Sequence, residues 1–77
     1  MSTTEAPYKA KLKDLPTQPG VYFYYDKNGK IIYIGKAKVL KNRVKSYFTG
    51  TPDSPKTARL IARIWDLQTL VTRTEVE

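Results

Sequence analysis

The sequence predicts a small α/β domain of the α+β type, in which a β-hairpin, two helices and a third strand follow one another. Two segments rich in aromatic and β-branched residues flank an Asn-Gly pair, as in a hairpin of antiparallel strands. Apolar residues then recur twice at helical spacing, and a short apolar run follows. The 77 residues suffice for one small domain, which we divide into an arm at 1–14 and a folded unit at 15–77.

The arm has no clear period and is expected to be loosely docked, and the loop 15–20 contains two prolines and a glycine. The first strand is predicted over 20–26. Its alternation puts Tyr22 and Tyr24 on one face and Val21, Phe23 and Tyr25 on the other. The Asn-Gly pair in 27–30 predicts a tight turn because both residues tolerate positive φ.

The return strand is predicted over 31–35, "IIYIG", and its apolar run suggests a buried strand. Because the two strands of a tight hairpin are antiparallel, Tyr22 and Tyr33 lie on neighbouring strands. The length of the hairpin allows the two phenols to converge, although the register cannot be derived to the residue.

Two helices are predicted after the hairpin. The first covers 36–48, with an apolar stripe formed by Ala37, Leu40, Val44 and Phe48. The second covers 54–67, where Ser54 can cap the helix and Pro55 suits its first position. Its core face comprises Leu60, Ile61, Ile64 and Trp65. A third strand is predicted over 67–72, "LQTLVT".

The composition narrows the possible functions. A net charge of +7, from 14 Lys and Arg against 7 Asp and Glu, indicates a polyanionic partner, most often nucleic acid. The absence of cysteine excludes disulfides, and the absence of histidine excludes a Ser-His triad. Acid–base chemistry therefore has to use Tyr, Lys, Asp, Glu or bound water. Since no apolar stretch could span a bilayer, we expect no membrane association and a cytoplasmic protein.

The first predicted helix carries several cations and no acidic residue. Helical spacing places Lys36, Arg43 and Tyr47 on one side, where a guanidinium could hold a phosphate through two hydrogen bonds. The remaining lysines spread around the outer surface and could equally form a solvated face: Lys38, Lys41 and Lys45.

Tyr33 has a chemical interpretation in this setting. It precedes Gly35, which we expect to let the backbone turn sharply into the basic helix and to bring the phenol near Lys36. Cationic neighbours favour a phenolate, and a more acidic tyrosine can take a proton from water. The alternative is that the tyrosines are amphipathic strand residues. We keep that interpretation for Tyr8, Tyr24 and Tyr25.

These motifs resemble a known family. "GVY" at 20–22, ten residues and "YIG" at 33–35 resemble the GIY-YIG nuclease motif, with valine replacing isoleucine. The continuation "IIYIGKAKVLKNRVKSYF" and the later "TRTE" look like the UvrC branch, the N-terminal domain of an excinuclease subunit, over nearly all of 12–77. The resemblance implies a central three-stranded antiparallel sheet flanked by helices. It also implies metal-dependent cleavage of double-stranded DNA on the 3′ side of a lesion in nucleotide excision repair.

The resemblance also implies roles for particular residues. Tyr33 matches the general base that activates water, Tyr22 a tyrosine hydrogen-bonded within the site, and Arg43 the phosphate-binding arginine. Lys36 and Tyr47 match accessory site residues, and we expect Lys38, Lys41 and Lys45 to contact DNA. Through the full-length protein, the resemblance implies a UvrB-type partner, and nothing in the sequence suggests more than a monomer.

The end of the chain departs from the family pattern. "TEVE" at 74–77 fits a capping box, which normally opens a helix. The family holds a divalent cation, Mg²⁺ or Mn²⁺, through a glutamate a few residues beyond such a stretch. Neither Glu75 nor Glu77 matches that position. We therefore assign no metal ligand within the chain and expect a truncated domain with its ligand beyond residue 77.

Other functions stay open at this point. The chain could belong to a stand-alone GIY-YIG or Cho-like nuclease, which the sequence beyond residue 77 would distinguish. It could be a basic DNA-binding module without catalysis, in which replacing Tyr33 by Phe changes no cleavage. A domain that binds another protein would bind with weak salt dependence, whereas phosphate-driven binding weakens steeply as salt rises.

Overall fold

The computed structural model describes residues 6–49 and 52–72. The elements in chain order are α1 (Tyr8–Lys11), a 3₁₀ turn (Leu12–Asp14), β1 (Gly20–Tyr25), β2 (Ile31–Ala37), α2 (Leu40–Phe48), α3 (Pro55–Arg63) and β3 (Asp66–Val71). The strands form one sheet in the order β2-β1-β3, with both neighbouring pairs antiparallel. The predicted three-stranded antiparallel sheet flanked by helices is confirmed.

Both long helices are shorter than predicted because some of the residues expected at one end of each helix belong to a strand of the sheet instead. The helix expected at 36 begins at Leu40, since β2 stays paired with β1 as far as Ala37 opposite Gly20. The second helix ends at Arg63, and the Trp65 amide then donates to the Tyr25 carbonyl at 2.8 Å. This bond belongs to the sheet, so the chain becomes extended before β3 begins.

The start of α3 agrees with the prediction. Pro55 is its first residue, and the Ser54 hydroxyl accepts a hydrogen bond from the Thr57 amide at 3.2 Å. The cap satisfies one of the backbone amides that a helix leaves unpaired at its start.

The hairpin turn differs from the predicted Asn-Gly turn. Gly29 has a φ of 83°, whereas Asn28 does not adopt a positive φ. The Asp26 carbonyl accepts from the Gly29 amide at 3.0 Å, and the Asp26 amide donates to the Lys30 carbonyl at 2.9 Å. The loop therefore has three residues with glycine in the left-handed position. The Asp26 carboxylate accepts from the Lys30 and Asn28 amides, which lowers its pKa.

The core lies on one face of the sheet, which we call the tyrosine face. Tyr22 and Tyr24 are 1% and 0% exposed there, in agreement with the predicted alternation. Helix α2 covers them with Leu40 and Val44, both fully buried. The rest of the core comprises Leu15, Ile64 and Leu67.

Strand β2 is not the buried strand that its apolar run suggested. It is an edge strand, and Ile31, Tyr33 and Ile34 are 44%, 39% and 54% exposed. Ile31 and Ile34 lie opposite Tyr25 and Phe23, so they are on the face away from α2 and its core residues. An apolar run thus identified the strand correctly but not its place in the sheet.

The predicted arm is docked more firmly than expected where it is described. The Lys11 ammonium forms an ion pair with Asp66 at 2.9 Å and donates to the Leu67 carbonyl at 3.0 Å. The Tyr8 ring stacks on Phe48 with ring centroids 4.7 Å apart. Residues 8–14 therefore contact the sheet and α2, while the division at residue 15 stays a prediction. The capping-box stretch 74–77 lies outside the described residues.

Candidate active site

The hairpin brings the two motif tyrosines together. Tyr33 lies directly opposite Tyr24, and Tyr22 lies opposite Gly35, so all three tyrosines share the tyrosine face. The ring centroids of Tyr22 and Tyr33 are 6.1 Å apart. The convergence that the hairpin length allowed is therefore confirmed.

A β-bulge makes this convergence possible. At the turn, Tyr25 pairs with Ile31, and continuing that register would put Tyr33 opposite Phe23, on the other face of the sheet. The register instead shifts between Tyr24 and Tyr25, which leaves Ile32 as the extra residue of β2. The shift by one residue turns the Tyr33 side chain onto the tyrosine face.

Gly35 has a different role from the one predicted. It does not turn the chain into a helix, because β2 continues through it to Ala37. A Cβ atom at residue 35 would instead overlap the distal ring carbons and the hydroxyl of Tyr22. The glycine therefore leaves the space in which the Tyr22 phenol lies across β2.

Tyr47 joins the two motif tyrosines from helix α2. Its hydroxyl is 3.0 Å from that of Tyr22, and its ring centroid is 6.3 Å from that of Tyr33. Burial raises the pKa of Tyr47, and hydrogen bonds to Tyr22 and Tyr33 raise it further. Tyr47 is therefore a neutral phenol at neutral pH, able to donate one hydrogen bond and to accept others.

Arg43 lies one helical turn before Tyr47, as predicted. Its guanidinium carbon is 5.3 Å from the centroid of the Tyr47 ring, within the range of a cation–π contact. A hydrogen bond to the Tyr22 hydroxyl is the largest of the effects that raise the pKa of Arg43. Arg43 is itself exposed, so its other donors can reach a ligand.

Lys36 is not on the helix, and its predicted place beside Arg43 on one helical side is wrong. It belongs to β2 and lies opposite Val21, so the backbone directs it away from the tyrosine face. It nevertheless lines an open cleft at the edge of the sheet, which we call the lysine cleft, with Lys38, Arg43 and Ser46. Lys36 is therefore next to Arg43 through the cleft and not through helical spacing.

The other predicted DNA-binding lysines separate into two groups. Lys38 precedes α2 and lines the lysine cleft. Lys41 and Lys45 are on α2 but on the flank opposite Arg43, because the helix turns through about 3.6 residues per turn. Neither of them lines the clefts around the tyrosines.

One further cleft adjoins the lysine cleft, and a third adjoins that one. The arginine cleft lies between α2 and the start of α3 and is lined by Arg43, Ser46, Tyr47, Asp53 and Thr57. The tyrosine cleft is lined by Tyr33, Tyr47, Lys56 and Thr57. We did not identify Lys56 and Thr57 from the sequence, since more than twenty positions separate them from Tyr33 and only the packing of α3 brings them close.

Tyr24, which the sequence analysis assigned a structural role, is the centre of the aromatic cluster. Its ring contacts those of Tyr33, Tyr22 and Tyr47, with centroids 6.1, 5.3 and 5.2 Å away. Its buried hydroxyl has no hydrogen-bond partner among the described residues. Burial, followed by repulsion from Tyr22 and Tyr47, raises the pKa of Tyr24.

The site residues do not by themselves form a magnesium site. Mg²⁺ is usually held through one or two carboxylates, whereas this site consists of phenols and cations. Among the described residues, Asp53 is the one carboxylate lining the three clefts, and no group of three or more potential ligands occurs. The described residues thus offer no set of ligands for a cation, and Glu75 and Glu77 lie outside them.

Comparison with known proteins places this geometry in a family. The profile of the UvrC-like GIY-YIG domain matches residues 18–77. The chain is 53% identical over 73 residues to the UvrABC system protein C of Psychrobacter sp. (strain PRwf-1), covering 95% of this chain and 12% of that protein. The corresponding protein of Psychrobacter cryohalolentis is 55% identical, with 90% and 12% covered. The chain thus spans about an eighth of the length of these relatives.

A solved structure gives the same result. The magnesium-bound N-terminal endonuclease domain of UvrC from Thermotoga maritima superposes with a TM-score of 0.74 at 40% identity, covering 87% of this chain and 72% of that one. A point mutant of the same domain, bound to its catalytic divalent cation, gives 0.74 at 39% identity. No helix among residues 6–49 and 52–72 is long and apolar enough to cross a membrane. The matching profile, the two relatives and the superposed structure together show that the chain belongs to the family of UvrC-like GIY-YIG endonuclease domains.

Proposed function

We propose that this chain hydrolyses phosphodiesters of double-stranded DNA, with Tyr33 as the general base and Arg43 as the phosphate-binding residue. The observation that carries the proposal is the arrangement of Tyr33, Tyr22 and Tyr47 around one point, with the Arg43 guanidinium beside them. Of the two motif tyrosines, Tyr33 is 39% exposed and Tyr22 is 1% exposed. Only Tyr33 is therefore open to a water molecule and a substrate.

The residues divide the chemistry between them. Tyr33, acting as the phenolate, takes a proton from the attacking water, and the resulting hydroxide attacks phosphorus. The P–O bond to the leaving oxygen breaks, and that oxygen takes a proton from solvent. Arg43 can hold two phosphate oxygens and offset the charge that develops on them. Tyr22 and Tyr47 support this arrangement: their hydroxyls are 3.0 Å apart, and the Tyr47 ring lies near both the Arg43 guanidinium and the Tyr33 ring. Lys36 and Lys38 add positive charge at the adjacent cleft.

We propose that the reaction also uses a divalent cation, Mg²⁺ or Mn²⁺, with a carboxylate ligand outside the described residues. The magnesium-bound Thermotoga maritima domain supports the class of cofactor. When bound, such a cation stabilises charge on the phosphate and lowers the pKa of a coordinated water. The described residues provide no set of ligands for it, so we assign it to none of them.

The wider role is likewise a proposal. The relatives are named UvrABC system protein C, which supports a role in nucleotide excision repair. We propose that the incision falls on the 3′ side of a lesion. We propose double-stranded DNA as the substrate and a UvrB-type protein as the partner of the full-length protein. We further propose that the domain acts as a monomer in the cytoplasm.

The decisive experiment is a nicking assay on duplex DNA with Mg²⁺ or Mn²⁺, using this chain and a chain extended through the next segment of its gene. Tyr33→Phe should lower the nicking rate by roughly 10²–10⁴-fold, the usual contribution of a general base. Tyr25→Phe is the matched control, because Tyr25 points to the opposite face of the sheet.

Two outcomes would contradict the proposal. If Tyr33→Phe nicks as fast as Tyr25→Phe, then Tyr33 is not the base. If neither chain nicks while both bind duplex DNA with steep salt dependence, the domain is a DNA-binding module without catalysis. If nicking requires the extended chain or the partner protein, the cation ligand comes from the extension or from that partner.

A further inference from the structure

The three clefts around the site form one continuous groove. The tyrosine and arginine clefts share Tyr47 and Thr57, and the arginine and lysine clefts share Arg43 and Ser46. The groove therefore passes from α3, across the phenols, to the end of β2. Nothing in the sequence suggested this path, because its walls come from three separate elements.

Cations stand at both ends of the groove. Lys36 and Lys38 line one end, Arg43 lies between the lysine and arginine clefts, and Lys56 lines the other end beside Tyr33. Asp53 is the one carboxylate among the residues that line the three clefts, and it lies in the arginine cleft. Repeated positive charge along a groove matches the repeated negative charge of a nucleic-acid backbone.

Lys56 is also poorly placed to stabilise its own helix. It lies in the first turn of α3, where the helix dipole favours negative charge, and that turn contains no acidic residue. A lysine there makes the end of the groove more positive at some cost to the helix. The location therefore fits a ligand contact better than it fits helix stabilisation.

We propose that Lys56 binds a backbone phosphate next to the scissile one, on the opposite side of Tyr33 from Lys36 and Lys38. The DNA strand then follows the groove, with the scissile phosphate held between Arg43 and Tyr33 and a flanking phosphate at each end. This inference rests on the proposed function, since it takes Tyr33 and Arg43 as the site of cleavage.

The test is the salt dependence of duplex binding by this chain, measured for Lys56→Gln beside Lys13→Gln. Losing one phosphate contact should weaken binding at every salt concentration and reduce the slope of log K against log salt by about one. Lys13→Gln removes the same charge from the 3₁₀ turn, which adjoins β3 at the sheet edge opposite β2, and should leave the slope unchanged. Lys56→Arg keeps the charge and should keep the slope.

A modified substrate makes the assignment specific. Duplexes with a single neutral methylphosphonate at each position near the cut should contain one position that weakens binding by the original chain as much as Lys56→Gln does. On that duplex, Lys56→Gln should cause no further loss. If Lys56→Gln behaves like Lys13→Gln, or if its loss adds to that of every methylphosphonate, Lys56 does not contact the backbone.

The two proposals can fail separately. The groove assignment alone fails if Lys56→Gln is silent while nicking still requires Tyr33. The catalytic proposal fails if nicking does not require Tyr33, whatever Lys56→Gln does to binding.

Discussion

Tyr22 and Tyr33 are the same residue type on neighbouring strands, yet their surroundings differ. Tyr22 is on the central strand, 1% exposed, with its hydroxyl 3.0 Å from that of Tyr47. Tyr33 is on the edge strand and 39% exposed. The sequence motif does not distinguish the two tyrosines, but their positions in the sheet do. Tyr22 is an internal hydrogen-bonding residue, whereas Tyr33 is open to substrate.

The difference arises from strand order. A central strand is paired on both edges, and here α2 also covers its tyrosine face, so the Tyr22 hydroxyl is closed off from solvent and contacts Tyr47 inside the protein. An edge strand has a neighbour on one side only, which leaves room for solvent and a ligand. Substitutions at the two tyrosines, and at the residues that hold them, test this distinction.

Gly35→Ala should have the largest effect on the structure. The new Cβ would overlap the Tyr22 phenol, which is buried and cannot move aside without displacing Tyr47. Overpacking of this kind costs about 1–3 kcal/mol of unfolding free energy, and nicking should fall with it. Gly29→Ala is the matched control, because nothing lies near its Cβ and its cost is the left-handed backbone, about 1–2 kcal/mol. Denaturant unfolding gives the free energies.

The two glycine variants should differ in their nicking activity. Gly29→Ala should keep the nicking rate of the folded protein, since the turn is far from the substrate side of Tyr33. If Gly35→Ala unfolds and nicks like the original chain, the Tyr22 phenol is not held against β2 as described.

Tyr22→Phe should act on stability and on nicking together, unlike Tyr33→Phe. Removing the Tyr22 hydroxyl deprives the half-buried Tyr47 hydroxyl of its partner, which costs about 1 kcal/mol. Tyr33→Phe removes a hydroxyl from an exposed residue and should change the unfolding free energy much less. Equal stability loss in the two variants would contradict the assignment of internal and substrate-facing roles.

Tyr24→Phe should make the domain more stable. It removes a buried hydroxyl without a partner among the described residues, so we expect a gain of about 1 kcal/mol in unfolding free energy. The pKa of Tyr24 is higher in the folded state than in the unfolded state. The unfolding free energy that this difference contributes is therefore complete below the ordinary pKa of about 10 and is lost as pH rises further.

Unfolding between pH 9 and pH 12 reveals that contribution. The original chain should lose stability steadily above about pH 10, and Tyr24→Phe should make that decline shallower, whereas Tyr25→Phe should not. A loss of stability in Tyr24→Phe at neutral pH would mean that the hydroxyl has a partner, such as an ordered water, that the aromatic cluster holds.

Asp53→Asn should have the smallest effect, and its sign is informative. Asp53 is the one carboxylate lining the groove in the described part of the chain, so removing its charge should tighten duplex binding by a few-fold at low salt and by less at high salt. Asp14→Asn, in the 3₁₀ turn beside β3, is the control and should bind like the original chain. Weaker binding by Asp53→Asn would indicate that Asp53 helps to hold a cation.

Sequence patterns predicted the elements well, and the reasons are local. The alternation in "GVYFYY" separated the two faces of β1, and Ser54 with Pro55 located the start of α3. The spacing of Arg43 and Tyr47 put them together, because one helical turn is a local quantity. The errors lie at the junctions: Lys36 was assigned to a helix, and Gly35 to a turn, because the pattern does not show how far β1 can hold β2 in the sheet.

The sequence by itself determined the hairpin, the positions of its tyrosines, the helix with Arg43 and Tyr47, the basic charge and the family. The tertiary structure alone decided that Tyr33 faces the site, because the bulge at Ile32 shifts by one residue the strand register that is set at the turn. It also decided that Lys56 stands beside Tyr33. Both depend on which strands and helices pack together, and packing follows from the free energy of the whole chain and not from any short stretch of it.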